Sequence, residues 1–218
     1  MRLRHWPLND LVIRTPRLEL RLPAPEELDA LGDLAAEGVH DPGEMPFVLP
    51  WTDASPEERA RGVFLHHWRT LGAFARDDWQ LPLAVFTASG VVGIQEITAR
   101  DFAETREVRT GSWLGLRHQG QGIGTEMRAA VLHLAFTSLG AEAAHSAVVA
   151  RNPRSLRVSR RLGYRDNGVG RLKVRGQAVE DLHLRLERAD WRSDLVEGIE
   201  VHGVERCLPL LGAGDPPA

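Results

Sequence analysis

Arg117-His-Gln-Gly120-Gln-Gly122-Ile-Gly124-Thr125 sets three glycines at alternate positions between an apolar run ending near Leu116 and a long helical pattern beginning near Gly122. Without Cβ atoms the backbone can approach a ligand closely and aim successive N–H groups at it. The helix N-terminus that follows adds about half a positive charge of dipole field. Gly120, Gln121, Gly122, Ile123, Gly124 and Thr125 therefore read as a pyrophosphate cradle, with a plain flexible turn as the alternative. Two common nucleotide loops are excluded. No lysine follows Gly124, as a Walker loop requires, and the sixth position counted from Gly120 is Thr125, where a dinucleotide fingerprint has glycine.

Upstream of this turn, residues 106–116 carry Val108, Trp113, Leu114 and Leu116 and read as a strand. Before it, Leu81 to Thr87 and Val91 to Thr98 flank Ala88-Ser89-Gly90, a hairpin pattern, so three antiparallel strands form a meander. Downstream, Met127, Val131, Leu134 and Ala135 share one helical face as far as Gly140. Ala143 to Ala150 reads as a buried strand, Pro153 to Leu162 as a helix, and Tyr164 to Val174 with Val179 to Leu186 as a closing strand pair.

The chain opens on Leu11 to Leu22, where Leu18, Leu20 and Leu22 alternate as in one strand before Pro23 and Pro25 stop it. A helix through Leu28, Leu31 and Leu34 ends at Gly38. Ser55-Pro-Glu-Glu58 is an N-cap, N1 proline and capping-box glutamate for a second helix running to about Ala75. Between them Met45, Phe47, Val48, Leu49 and Trp51 sit among prolines, an apolar loop that must cover something. The sum is one mixed α/β domain over residues 1–191, with about seven strands and about four helices. Residues 192–218 form a C-terminal extension: a further hairpin at 199–208 and a loose tail from 212.

A net charge of -3 gives no general attraction to nucleic acid. Cys207 is the single cysteine, and no Cys/His set has zinc spacing, so neither a disulfide framework nor a metal site is expected. The first ten residues lack a signal-peptide core, and the longest apolar-rich stretch, 129–136, contains His133 and is too short to span a bilayer. A cytoplasmic protein without a membrane partner is expected.

Arg117-x-x-Gly120-x-Gly122 resembles the Gln/Arg-x-x-Gly-x-Gly/Ala signature of the GNAT N-acetyltransferase superfamily. Asn152-Pro-Arg-Ser155, followed by Leu162-Gly163-Tyr164, is similar to the Asn-x-x-Ser…Leu-Gly-Phe motif of its ribosomal-protein acetyltransferase branch, as are Thr15-Pro-Arg-Leu-Glu-Leu20 and Leu186 to Trp191. Within that family, His40-Asp-Pro, Met45-Pro-Phe, Pro50-Trp-Thr and Gly111-Ser-Trp-Leu-Gly-Leu116 are similar to a mycobacterial succinyltransferase. The resemblance implies a mostly antiparallel twisted sheet splayed between the fourth and fifth expected strands. It implies transfer of an acetyl or succinyl group from acetyl-CoA or succinyl-CoA to a primary amine, on a protein N-terminus, a lysine or a small molecule, in a ternary complex. It also implies a homodimer.

For individual residues, the resemblance implies that the backbone of Trp113, Leu114 and Leu116 pairs with the pantetheine arm. Arg117 and the glycine turn would hold the pyrophosphate, and Asn152 would bond the arm. Ser155 either caps its helix or touches the cofactor. Ser159 stands where many family members carry a tyrosine that returns a proton to the CoA thiolate; a serine on a helix face is the alternative. Glu96 is the candidate base, acting through water, against a surface glutamate; His66, His67 and His145 are other acceptors. Arg151, Arg154, Arg157, Arg160 and Arg161 recur near helical spacing, either toward the 3′-phosphate or an acidic acceptor or as a solvated face. A succinyl carboxylate would need one of these arginines or a histidine of the 40–67 region. Residues 25–76 and 165–186 would shape the acceptor pocket, with the loop Met45 to Asp53 as its wall or as a dimer contact. The alternative to an enzyme is a non-catalytic acyl-CoA-binding or sensory protein, because Ser159 replaces the tyrosine.

Overall fold

Alternating leucines decide where the sheet begins. Leu18, Leu20 and Leu22 are all buried, as their spacing requires, yet the segment is two strands. In the computed structural model, which describes residues 3–149 and 152–214, β1 (Val12–Arg14) and β2 (Glu19–Arg21) pair antiparallel. Pro16 has no N–H to give a ladder. The chain turns there, with Thr15 N–H donating to Leu18 O at 2.9 Å and Leu18 N–H to Thr15 Oγ1 at 2.9 Å.

The helices α1 (Pro25–Glu37) and α2 (Pro56–Gly72) follow, the second capped by Ser55 and Glu58 as the sequence predicts. The meander is β3 (Asp78–Thr87), β4 (Gly90–Arg100) and β5 (Glu107–Leu114), with a short α3 (Phe102–Thr105) before its last strand. The long helix is α4 (Ile123–His133), whose final stretch, Leu134–Leu139, is wound as π-helix before Gly140 turns left-handed at φ +74°. Then come β6 (Ala143–Val149), α5 (Pro153–Arg161), β7 (Arg165–Val174), β8 (Gln177–Glu187) and β9 (Glu200–His202).

These strands form one sheet in the order β7-β8-β6-β5-β4-β3-β2-β1-β9. The mixed α/β class and the mostly antiparallel sheet hold, since only β5 and β6 run parallel. The strand count is nine instead of seven, because the opening segment folds back on itself and the extension adds one. The hairpin expected at 199–208 has a single arm: β9 pairs with β1, and the chain beyond it coils, seating Cys207 and Leu211 in the core. The fourth expected strand stops at Leu114, and Leu116 N–H bonds to Gly38 O at 3.1 Å.

Strand alternation sorts the two faces of the sheet. On one face Ile94 packs with Leu28, Leu31 and Val63 of α1 and α2, and Trp113 joins that cluster. On the other, Ile97, Val108 and Leu114 pack with Met127 and Val131 of α4. Between β5 and β6 the pairing covers only Glu107↔Ala143 to Arg109↔His145. Past those three pairs the strands part, which is the expected splay.

Trp79 is the largest fully buried side chain. Its ring packs on Phe102 with centroids 5.8 Å apart, and its Nε1–H donates to Leu211 O at 3.1 Å. Trp79→Ala should therefore cost ~3–5 kcal/mol, from lost burial and a remaining cavity. Equilibrium denaturant unfolding, read as a fall in the midpoint, checks it.

Candidate active site

Where β5 and β6 part, a cavity of about 870 Å³ opens. Ser112, Trp113 and Leu114 of β5 form one wall, Gly120, Gly122, Gly124 and Thr125 one end, and Asn152, Ser155 and Val158 the opposite wall. Leu116 reaches its rim, 42% exposed. Most of the residues singled out from the sequence thus meet in one place.

Gly120 (φ +74°) and Gly122 (φ +81°) adopt the left-handed conformation that side chains disfavour, which is why the turn needs glycine. Thr125 and Glu126 N–H close the first turn of α4 on Gly122 O, at 3.1 and 3.2 Å. The N–H groups ahead of them remain at the open helix end. Arg17 fastens this turn: its Nη1 donates to Gln121 O at 3.1 Å and its Nε to Glu126 Oε2 at 2.7 Å. Glu126, 6% exposed, also accepts from Thr15 Oγ1 at 2.6 Å and Arg17 N–H at 3.2 Å. Gln119 adds a second brace, donating to Val39 O (2.7 Å) and Leu114 O (3.0 Å) and accepting from Arg154 Nη1 (2.8 Å).

Other singled-out side chains stand behind the wall. The Arg117 guanidinium pairs with Glu37 and reaches His118, so only the Arg117 backbone belongs to the turn. Gln121 Nε2 donates to Arg117 O at 2.9 Å, and the Ile123 side chain is core. Asn152, not Ser155, caps α5: Asn152 Oδ1 accepts Ser155 N–H at 3.0 Å. A side-chain oxygen at the N-cap reaches the N–H of the third helical residue, and Asn152 holds that position.

On the α4 face, Ser159 is fully buried. Its hydroxyl donates to Ser155 O at 3.2 Å and accepts from Arg128 Nη1 at 2.9 Å. Arg128 lines the cavity at 5% exposure, and its other amino group donates to Ser112 Oγ at 3.2 Å. Its Nε has no partner, and among the described residues no carboxylate pairs with it. Burial pushes its pKa below the usual arginine value.

On the α2 face, Glu96 of β4 meets His66 of α2, Oε1 to Nε2, at 2.5 Å. The carboxylate raises the His66 pKa above its ordinary 6.5. Gly111, opposite Glu96 in register, has no side chain to cover the carboxylate from β5. The histidines separate: His67 is buried with its pKa pushed down by desolvation, and His145 bonds Glu107 at 2.9 Å at the far end of the splay.

Arg154, Arg157 and Arg161 share the cavity wall, whereas Arg160 turns to Asp166. Arg151 lies outside the described residues. Above the cavity, the rings of His40, Phe47, Trp51 and Trp113 follow one another at 5.7, 5.5 and 5.8 Å. Arg175, at the β7–β8 turn, clasps Asp53 through Nε at 2.9 Å, tying the apolar loop to the closing hairpin. Sequence reasoning passed over Arg128, Gln119, Arg17 and Glu126. For Arg128 a signal was present: an arginine one turn after Gly124 on the apolar part of a helix.

The model of the Acetyltransferase (GNAT) domain matches residues 17–165. Among solved structures, Mycobacterium smegmatis RimJ in complex with CoA-disulfide superposes with a TM-score of 0.67 at 20% identity, covering 93% of this chain and 95% of that one. A GCN5-related N-acetyltransferase from Brucella melitensis gives 0.64 at 20% identity, over 83% and 80% of the two chains. Spermidine N-acetyltransferase from Vibrio cholerae, in complex with CoA and spermine, gives 0.59 at 15% identity, over 80% and 97%. The structures share the fold; the match across most of the sequence, from the β1–β2 turn to the first residue of β7, shows that the chain belongs to the GNAT acetyltransferase family.

Proposed function

We propose that the chain transfers an acyl group from acetyl-CoA or succinyl-CoA to a primary amine, as a member of the ribosomal-protein acetyltransferase branch. The observation that carries this reading is the cavity at the splay, with a helix N-terminus and left-handed glycines at one end and the Glu96–His66 pair across β5 from Arg128. The residues present suit an acyl-CoA. The N–H groups of residues 120–124 take the pyrophosphate. Arg154, Arg157 and Arg161 meet the 3′-phosphate. The edge of β5 that β6 leaves open at Trp113 and Leu114, where Leu114 O already accepts from Gln119, and the side chain of Asn152 bond the pantetheine arm. Leu116 contributes its side chain, because its N–H is already given to Gly38 O.

The amine enters from the α1–α2 side, between the aromatic row of the apolar loop and the closing hairpin. Glu96, coupled to His66, takes its proton, and proximity in the cleft supplies much of the remaining acceleration. The cytoplasm as its place agrees with an unpaired, buried Cys207. A homodimer agrees with Trp68 and Leu65, exposed on α2 at 58% and 49%. A second reading, a non-catalytic acyl-CoA binder, draws on one observation: the Ser159 proton is committed to Ser155 O. Release of free CoA from acetyl-CoA and from succinyl-CoA over a panel of amines, protein N-termini and lysine peptides decides between them. We expect release with at least one donor and amine; tight binding with no release from any combination removes the enzyme reading.

Two results should follow from the base. Glu96→Gln should lower kcat by about 10²–10⁴-fold while CoA binding is kept, measured by steady-state kinetics and calorimetry. The pH profile has a definite sign. While His66 is protonated the pair already holds the proton it must accept, so kcat/KM should rise with pH to a break above 6.5, and Glu96→Gln should abolish that break. For stability the sign is opposite. A raised folded-state pKa makes the His66–Glu96 contribution fully present below the unfolded histidine value and lost as pH climbs through the folded one, readable in thermal melts against pH.

A further inference from the structure

Arg128 is a buried cation whose protein partners are all neutral. It donates to the hydroxyls of Ser112 and Ser159, its Nε bonds nothing, and it stands 5% exposed on the cavity wall. A guanidinium taken out of water without a counter-charge is strongly disfavoured, and an anion arriving with a ligand can offset that loss of hydration. The wall position makes the guanidinium reachable from the cavity.

The two faces of β5 indicate which anion. Gly111 points toward Glu96 and the amine side, while its neighbour Ser112 points toward Arg128. Proton acceptor and buried cation thus flank the end of β5 from opposite sides. Glu126, the nearest carboxylate along α4, is occupied by Thr15 and Arg17. Ser159 has one proton, donated to Ser155 O, and its lone pair receives Arg128.

The geometry points to Arg128 as the catalytic group that stabilises the thiolate sulfur of the departing CoA, with Ser159 and Ser112 as positioning residues that hold its guanidinium. This rests on the acyltransferase reading. In the step concerned, the amine nitrogen bonds the carbonyl carbon and the carbon–sulfur bond breaks with its electron pair on sulfur. The amine proton goes to the Glu96–His66 pair, and the negative sulfur stays beside Arg128 until solvent protonates it. No proton from Ser159 is used.

The test needs no turnover. With the full chain saturated with CoA, the ultraviolet absorbance of the thiolate is followed against pH. The bound thiol should titrate about one unit or more below free CoA, as expected beside a desolvated cation. Arg128→Met should return it to the free value, and Arg128→Lys should retain most of the shift. In kinetics, Arg128→Met should lower kcat by about 10²-fold or more with acetyl-CoA and succinyl-CoA alike, with little change in the KM for the donor. An unshifted thiol in the wild-type complex overturns the inference, and this arm stands even if Arg128→Met fails to fold. So does loss of succinyl-CoA turnover with acetyl-CoA spared, which would make Arg128 a reader of the chain's free carboxylate. A lowered thiol midpoint without turnover of any amine keeps the anion site and removes the acyltransferase reading.

Discussion

Three residue pairs hold β5 to β6, and then the strands separate. In a sheet, each lost ladder position leaves backbone donors and acceptors that must find another partner. The glycine turn sits at the mouth of the opening because β5 feeds directly into α4. Asn152 sits across from it because β6 feeds directly into α5. A ligand carrying amide groups along an extended arm can complete the ladder, so the same constraint that opens the sheet selects the kind of molecule that fills it.

The opening also divides charge between the faces of β5. Glu96 and His66 face α1 and α2, and Arg128 with two serines faces α4 and α5. Consecutive residues of one extended strand separate these groups, so neither neutralises the other. A direct Glu96–Arg128 ion pair would satisfy both charges and leave neither beside the opening. Alternation of side chains along β5 prevents it at no cost in added structure.

Much of the scaffold was legible in local pattern. Leu18, Leu20 and Leu22 announce a buried face, Ser55 to Glu58 a helix start, and the three glycines a tight turn ahead of a helix, because each signal is complete within a few residues. The splay itself is a property of two segments far apart in the chain and was expected only through family resemblance. The break at Pro16 is less plain in the sequence: Leu18, Leu20 and Leu22 all follow it, and only the change of phase from Leu11 and Ile13 marks the turn. Ser155 reads as a cap or a cofactor contact, the first because serine favours that role, but Asn152, three residues earlier, occupies the N-cap. Arg128, beside Met127 on the same helix, goes unnamed in that pattern, since a spacing pattern records where a side chain points and not what it lacks.

The extension has a consequence for the molecule in a crowded solution. Without β9, strand β1 would be a bare edge, offering its free ladder to any neighbouring chain. β9 covers it and is itself only three residues long, and the opposite edge, β7, carries Arg165, Asp166, Arg171 and Lys173 and a register break between Asp166 and Val169. Short, charged or bulged edges resist strand-to-strand joining. An open nine-stranded sheet can therefore remain discrete in spite of its two edges, without extending from copy to copy into a fibre.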